Sequence, residues 1–294
     1  MTSGITLVLG GLGVKGIAHV GTLQALAARG VAVRRIVAGG IAGGIAAHAA
    51  LGGDLDALIA GLSNLFDRNH ARLWGLERFS GAPTGERRLA VASLSYFLRE
   101  RLFCRMNLTR ESVLGWEIVD ADLKRLFGDT HASDLRPRIA FAAFDLTTWQ
   151  EVLLEEGRVV DLVKAAAAFP GLLPPVRIND RQYVSSTLFC ELPLGPLGDA
   201  DRPIVAVDIP GRPSRERPAS LLEVLTLADE ARGDALKRVR LEKADHILRL
   251  DGLSSFHWGS YRRIPQLVLR AREEVEGRVE AGLLRTIRGC NGQG

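Results

Sequence analysis

Two glycine-rich turns hold the residues best placed by type and spacing to do chemistry. The first is Gly10-Gly11-Leu12-Gly13-Val14-Lys15-Gly16, which follows an apolar run and precedes a stretch with helical spacing. Glycines there let backbone N–H groups converge near the start of a helix, which suits an anion or an oxyanion. The second is Gly39-Gly40-Ile41-Ala42-Gly43-Gly44, again between a strand-like and a helix-like segment. It has the outline of GxSxG, the sharp turn that presents a nucleophilic Ser; Gly39 and Gly43 are its glycines and Ile41 holds the Ser position. Turns of these two kinds, about thirty residues apart, fit a serine-hydrolase framework. In that framework Gly11, Leu12, Gly13 and Gly16 supply the oxyanion hole. Ile41 has no lone pair and cannot attack a carbonyl. A β-branched residue also resists positive φ, so the turn at Ile41 is expected to relax, or its glycines to absorb the strain.

The first turn also contains GxGxxG. A dinucleotide site would need an acidic residue about twenty positions later for the ribose. The first 53 residues contain no Asp or Glu. Arg34 and Arg35 could meet a 2′-phosphate, but they precede the expected second strand. Nucleotide binding stays as an alternative that lacks its acidic partner.

The remaining candidates have bland roles as well as chemical ones. His19 and His48 flank the two turns, and helix packing accounts for both. His70, His131, His246 and His257 show no ligand spacing, so no metal and no other cofactor is expected. Ser185, Ser186, Thr187 and Cys190 are close in sequence and could furnish a substitute nucleophile, with no base evident beside them. Trp74, Phe79, Tyr96 and Phe97 could cover a pocket or simply pack.

The elements that must position these residues follow from periodicity. Strands are expected at Ile5–Leu9, Ile36–Ala38, Arg138–Phe144, Glu151–Glu155, Gln182–Val184, Ile204–Ile209 and His246–Leu250. Helices are expected at Lys15–Arg29, Gly43–Leu51, Leu55–Phe66, Leu89–Leu102, Asp120–Phe127, Leu162–Phe169 and Leu221–Lys243, with a last one opened by Pro265 and reaching about Ile287. Asp67–Arg88 reads as a loop-rich excursion and Gly211–Pro218 as a polar linker. Alternating strands and helices predict an α/β fold with a mostly parallel central sheet and helices on both faces. Ile36–Gly53 is uncharged over 18 residues, but it is mostly Ala and Gly and fits a buried strand–turn–helix better than a membrane span.

Composition narrows the class. The chain has 294 residues, 47% of them hydrophobic, enough for one sizeable core. The net charge is +4, and 33 of the 38 basic residues are Arg. They are scattered among acids instead of forming a basic face, which argues against nucleic acid and leaves only weak attraction to anionic lipid. Cys104, Cys190 and Cys290 are far apart and odd in number, the pattern of free thiols in a reducing compartment. The N-terminus lacks a leader pattern, so a cytoplasmic location is expected, compatible with peripheral contact at the inner membrane face.

Together these motifs resemble the bacterial patatin-like phospholipases. The likeness runs from Leu7 through Gly21, returns at Ala38–Gly44, at Phe144-Asp145-Leu146-Thr147-Thr148 and at Phe169–Val176, and continues through Tyr183–Leu188, Leu192-Pro193 and Ile204–Ile209. It covers about residues 5 to 250 and implies a three-layer patatin-like fold, here as one domain over 1–294. The family hydrolyses acyl esters with a Ser–Asp dyad, its Ser from GxSxG and its Asp from DG[GA]. On this resemblance Ile41 stands at the nucleophile and Ser185 at the general base, with Ser186 and Thr187 after it. Trp149 replaces the Gly of a DLTTG-like segment, in which Asp145 is structural. Ala165–Ala168 lacks the Ser usual before the Pro-Gly turn. A Ser hydroxyl keeps its proton at neutral pH and cannot serve as the base. The expectation is a pseudoenzyme that binds an acyl lipid, a fatty acid or a protein partner. The alternatives are an acyl hydrolase with an unorthodox nucleophile and the nucleotide-binding protein above.

Overall fold

The computed structural model describes residues 4–11, 13–69, 111–211, 221–256 and 260–279. Among these, eight strands form one mixed sheet. They are β1 (Ile5–Leu9), β2 (Val33–Gly39), β3 (Arg138–Asp145), β4 (Gln150–Leu154), β5 (Val176–Ile178), β6 (Arg181–Ser185), β7 (Ile204–Asp208) and β8 (His246–Arg249). The order is β5-β6-β3-β2-β1-β7-β8, with β4 paired to β3. The run from β3 to β8 is parallel, while β4, β5 and β6 join antiparallel. The helices are α1 (His19–Ala28), led by a 3₁₀ turn at Gly13–Ala18, then α2 (Ile41–Ala50), α3 (Leu55–Arg68), α4 (Asp120–Phe127), α5 (Val159–Ala167), α6 (Leu221–Leu241) and α7 (Ile264–Arg278).

Strand β1 is buried at every position because both faces of the sheet are covered. Its alternation assigns the layers. Ile5, Leu7 and Leu9 face the larger core, with Ile36, Ala38, Phe141, Val205 and Val207 from neighbouring strands and residues of α1, α2, α5 and α7. Val8 faces the opposite way, with Val37, Ala140 and Ala206. That second core is closed by Leu192, Leu194 and Leu197, with Leu241 from the end of α6 and Ala244 just beyond it. Among the described residues the three layers are unequal: α1, α2, α5 and α7, with contributions from α3 and α4, cover one face, and the 190s segment with the end of α6 covers the other.

Several expected boundaries move for physical reasons. Strand β2 begins at Val33, not Ile36, so Arg34 and Arg35 lie inside it. Apolar periodicity missed this because their charge is met elsewhere. Arg35 pairs with Glu155 and Asp201, and Arg34 donates to the carbonyls of Ala200 and Arg202. Strand β5 is three residues long with Arg177 in its middle, too short and polar to show as a period. Helix α5 starts at Val159 and ends at Ala167, ahead of the expected bounds. The expected helix Leu89–Leu102, most of the Asp67–Arg88 excursion and the Gly211–Pro218 linker, and the end of the last helix lie outside the described residues, as do His70 and His257.

Helix α1 packs along α7, and one glycine sets their separation. A Cβ on Gly21 would sit 2.1 Å from the Val268 carbonyl oxygen and 2.9 Å from Arg272 N. Gly61 in α3 has nothing within 4 Å of the same position. Helix propensity favours Ala over Gly by about 1 kcal/mol at both sites, but at Gly21 the backbone must give way, which typically costs about 1–3 kcal/mol. Urea unfolding should show Gly61→Ala stabilised by up to about 1 kcal/mol and Gly21→Ala destabilised. A stabilised Gly21→Ala would refute the close packing of α1 on α7.

Candidate functional site

The two glycine turns and the Ser185 segment meet at the carboxyl end of the parallel strands, because of the pairing on β3. Strand β2 pairs with Arg138–Ala142 and β6 with Ala143–Asp145. Strand β4 pairs with Phe141–Asp145 and so occupies the other edge. Strands β2 and β6 therefore share one edge of β3 and meet end to end, with Gly39 opposite Ala142 and Ser185 opposite Ala143. The end of α5 bridges the same junction. The Ala166 carbonyl accepts from Gly40 N–H at 3.1 Å and the Ala168 carbonyl from Ser185 N–H at 2.9 Å.

At the second turn the strain falls on a glycine. Gly40 has φ 61° and ψ −145°, and Ile41 opens α2 without a positive φ. Gly43 lets α2 settle on the sheet: a Cβ there would lie 3.3 Å from the Phe141 ring and 3.5 Å from Ala166 Cβ. The Ile41 side chain leans toward the first turn. Its Cγ2 lies 2.5 Å from where a Cβ on Gly16 would be, so a larger residue at 16 would force the Ile41 side chain to move.

The first turn is held from two sides. Gly10 is pressed against the 190s segment, since a Cβ on it would lie 1.8 Å from the Glu191 carbonyl oxygen. Gly11, at φ 106°, donates its N–H to that carbonyl at 3.3 Å. An oxyanion would have to compete for this donor. Gly13, at φ 57°, is exposed, Gly16 is buried, and Leu12 lies outside the described residues. His19 braces the turn from below: its Nε2 donates to the Gly10 carbonyl at 2.6 Å. Complete burial pulls its pKa from 6.5 to about 4, more than that bond raises it, so the ring is neutral.

The Ser185 segment is closed. Ser185, Ser186 and Thr187 are all buried. Ser185 Oγ is 2.8 Å from Thr187 Oγ1. Thr187 Cγ2 packs against the elbow, 3.1 Å from a Cβ placed on Gly39 and 3.2 Å from one on Gly40. The residue type at 187 thus decides how much space is left beside the turn, a role sequence reasoning did not give it. Cys190 is buried, and desolvation raises its thiol pKa, which disfavours the thiolate.

The remaining candidates are structural. His48 Nε2 is 3.2 Å from the Asp54 carbonyl, at the far end of α2 from the elbow. Asp145 is buried and accepts from Thr147 N–H at 2.8 Å and from Arg181 at 3.1 Å. Arg34 and Arg35 sit at the amino-terminal half of β2, remote from the first turn, so they cannot serve a phosphate held there. Among the described residues no cluster of His, Cys, Asp and Glu is placed to hold a metal ion.

One charged group beside the first turn was missed. Buried Lys237 on α6 pairs with Asp208 at 3.1 Å and with Glu191 at 3.0 Å. Burial lowers the Lys237 pKa, but the two carboxylates together hold it above its ordinary value. Asp208 ends β7, one strand over from Gly10, and was legible as an acid inside the apolar run Ile204–Ile209. The pair clamps the 190s segment whose carbonyl meets Gly11.

The site is thus a mostly parallel α/β sheet with two glycine turns at its carboxyl end, one of them leading into α2. A family model described as Patatin-like phospholipase matches residues 7–195, and the chain belongs to that family. Similar curated proteins include uncharacterized NTE family proteins of Mycobacterium bovis and Mycobacterium tuberculosis, each 26% identical over 205 residues. The match takes in 69% of this chain and 30% of those proteins, so the chain spans about a third of the relatives' length. Similar solved structures include VipD from Legionella pneumophila, at TM-score 0.46 and 14% identity over 95% of this chain and 67% of that one. Another is full-length ExoU of the Pseudomonas aeruginosa type III secretion system, solved in complex with SpcU, at TM-score 0.38 and 17% identity over 96% of this chain and 53% of that one.

His19 supplies a pH test of how the first turn is held. Its folded pKa lies below its unfolded value, so the unfolded chain binds the extra proton between pH 6.5 and 4. The stabilisation is fully present above about pH 6.5 and is lost as pH falls toward 4, by roughly 3 kcal/mol. Urea unfolding from pH 7 to 4 should show this slope in the wild type and a shallower one in His19→Gln. Equal slopes would mean that His19 is not the buried neutral group.

Proposed function

We propose that this chain is a catalytically inert member of its family, one patatin-like domain that binds an acyl lipid or fatty acid without cleaving it. A protein partner is the other occupant compatible with the same surface. Ile41 holds the nucleophile position and Ser185 the general-base position. The observation that carries this reading is the Ile41 side chain, which lies against Gly16 between the two turns. No attacking atom is present there, and the aliphatic branch makes the floor of the site apolar.

Four further features support it. Ser185 Oγ is engaged with Thr187 Oγ1 and holds its proton at neutral pH. Thr187 fills the space beside Gly39 and Gly40. Cys190 has a raised pKa and is buried, so it does not replace the missing nucleophile. The exposed Gly13 leaves the first turn able to meet a carboxylate or ester oxygen at its rim. No helix among the described residues is long and apolar enough to cross a membrane. A cytoplasmic location with peripheral membrane contact belongs to this proposal.

Intact-mass analysis after treatment with a fluorophosphonate probe tests it. The wild type should carry no adduct, and neither should Ile41→Ser alone, because the base is still absent. Ile41→Ser combined with Ser185→Asp, Ser186→Gly and Thr187→Gly should gain labelling. A stoichiometric adduct on the wild type would overturn the proposal, and peptide mapping would name the residue that replaced the Ser.

A further inference from the structure

Two hairpin tips project beyond the carboxyl end of β3, on the same side of the sheet as the glycine turns. The first is residues 146–149 between β3 and β4, and the second is residues 179–180 between β5 and β6. They are tied together where Leu146 N–H donates to the Gln182 carbonyl at 2.9 Å. The first tip stands about three residues, roughly 10 Å, past the level at which Ser185 meets the elbow. Flanking its two threonines, Trp149 is 81% exposed and Leu146 39% exposed. Trp149 also has φ 59°, a left-handed conformation that a bulky side chain rarely adopts. A Trp held there, with its ring in water, is unfavourable for the isolated fold on both counts.

We propose that the Trp149–Leu146 tip inserts into the headgroup layer of a lipid bilayer and so turns the mouth of the site toward the membrane. The choice of a lipid surface rests on the lipid-binding reading above, but not on catalytic inertness. The ring is apolar with one N–H donor, which suits a boundary that is apolar on one side and wet on the other. Two side chains on a tip fall far short of the about 800 Å² per partner that a stable protein interface buries, whereas insertion needs only projecting apolar groups. The charges around the tip are balanced. Arg181 is half-exposed and paired with buried Asp145, while Arg177 and Asp180 are both exposed. The surface it fits is therefore zwitterionic, and anionic lipid is not required.

Co-sedimentation of the full chain with phosphatidylcholine vesicles tests this, using Trp149→Gly as the variant. Glycine accepts the positive φ, so the variant should melt at the same temperature or higher, and a loss of binding cannot be blamed on unfolding. The wild type should bind, Trp149→Gly should bind at least ten-fold more weakly, and brominated acyl chains should quench a fluorescence component that the variant lacks. Equal binding by the two proteins, or no binding by the wild type, would overturn the proposal. So would a wild-type dimer that Trp149→Gly dissolves in sedimentation velocity, because the tip would then face a second copy. A chain that binds monomeric fatty acid but no vesicle would keep the lipid-binding reading and lose this one. A fluorophosphonate adduct would overturn catalytic inertness and leave this proposal standing.

Discussion

The site depends on one pairing constraint, the shared edge of β3. Strand β2 uses that edge as far as Ala142 and β6 takes it over at Ala143. Neither strand could be extended without displacing the other, so their carboxyl ends are forced together. Backbone hydrogen bonds then fix the junction from a third side, through the Ala166 and Ala168 carbonyls at the end of α5. The register of this junction is set by main-chain hydrogen bonds. It brings Gly39 and Ser185 to adjacent positions along β3.

What the side chains do with that geometry is a separate matter. The junction is lined by an isoleucine, two serines and a threonine, and its ionisable neighbours are turned to other tasks. Asp145 closes a turn and holds Arg181. His19 is neutral and braces Gly10. Asp208 and Lys237 neutralise each other beneath the 190s segment. A buried hydrogen bond such as Ser185–Thr187 contributes a net stabilisation of about 1 kcal/mol, comparable with one good packing contact. It organises the segment without activating either oxygen.

The sequence made the mostly parallel sheet, most of its strands and the two turns legible, because those depend on apolar runs and on glycines at strand ends. Ile5–Leu9 and Asp120–Phe127 fall where periodicity places them. Legibility failed where a charge is satisfied by a distant partner. Arg34 and Arg35 look like a strand boundary, yet they continue β2 because carbonyls and acids from the Glu155 and Asp199–Arg202 regions receive them. Glu191 gave no signal either, since its contribution to the first turn is a backbone carbonyl, which no residue type reveals. Thr187 was noticed as a hydroxyl, but its effect on the elbow comes from a methyl group.

The glycines therefore need a different reading from the one their motifs invite. Gly10 is required by the Glu191 carbonyl, Gly16 by the Ile41 side chain and Gly43 by Phe141 and Ala166. Each of these is a packing requirement that operates whether or not an ester is ever bound. Gly40 takes the positive φ that any helix starting at this elbow needs when residue 41 is β-branched. A glycine pattern of this kind identifies a fold and a place in it. It carries no information about turnover. A motif held in place by packing keeps the outline of a catalytic turn whether or not chemistry occurs there.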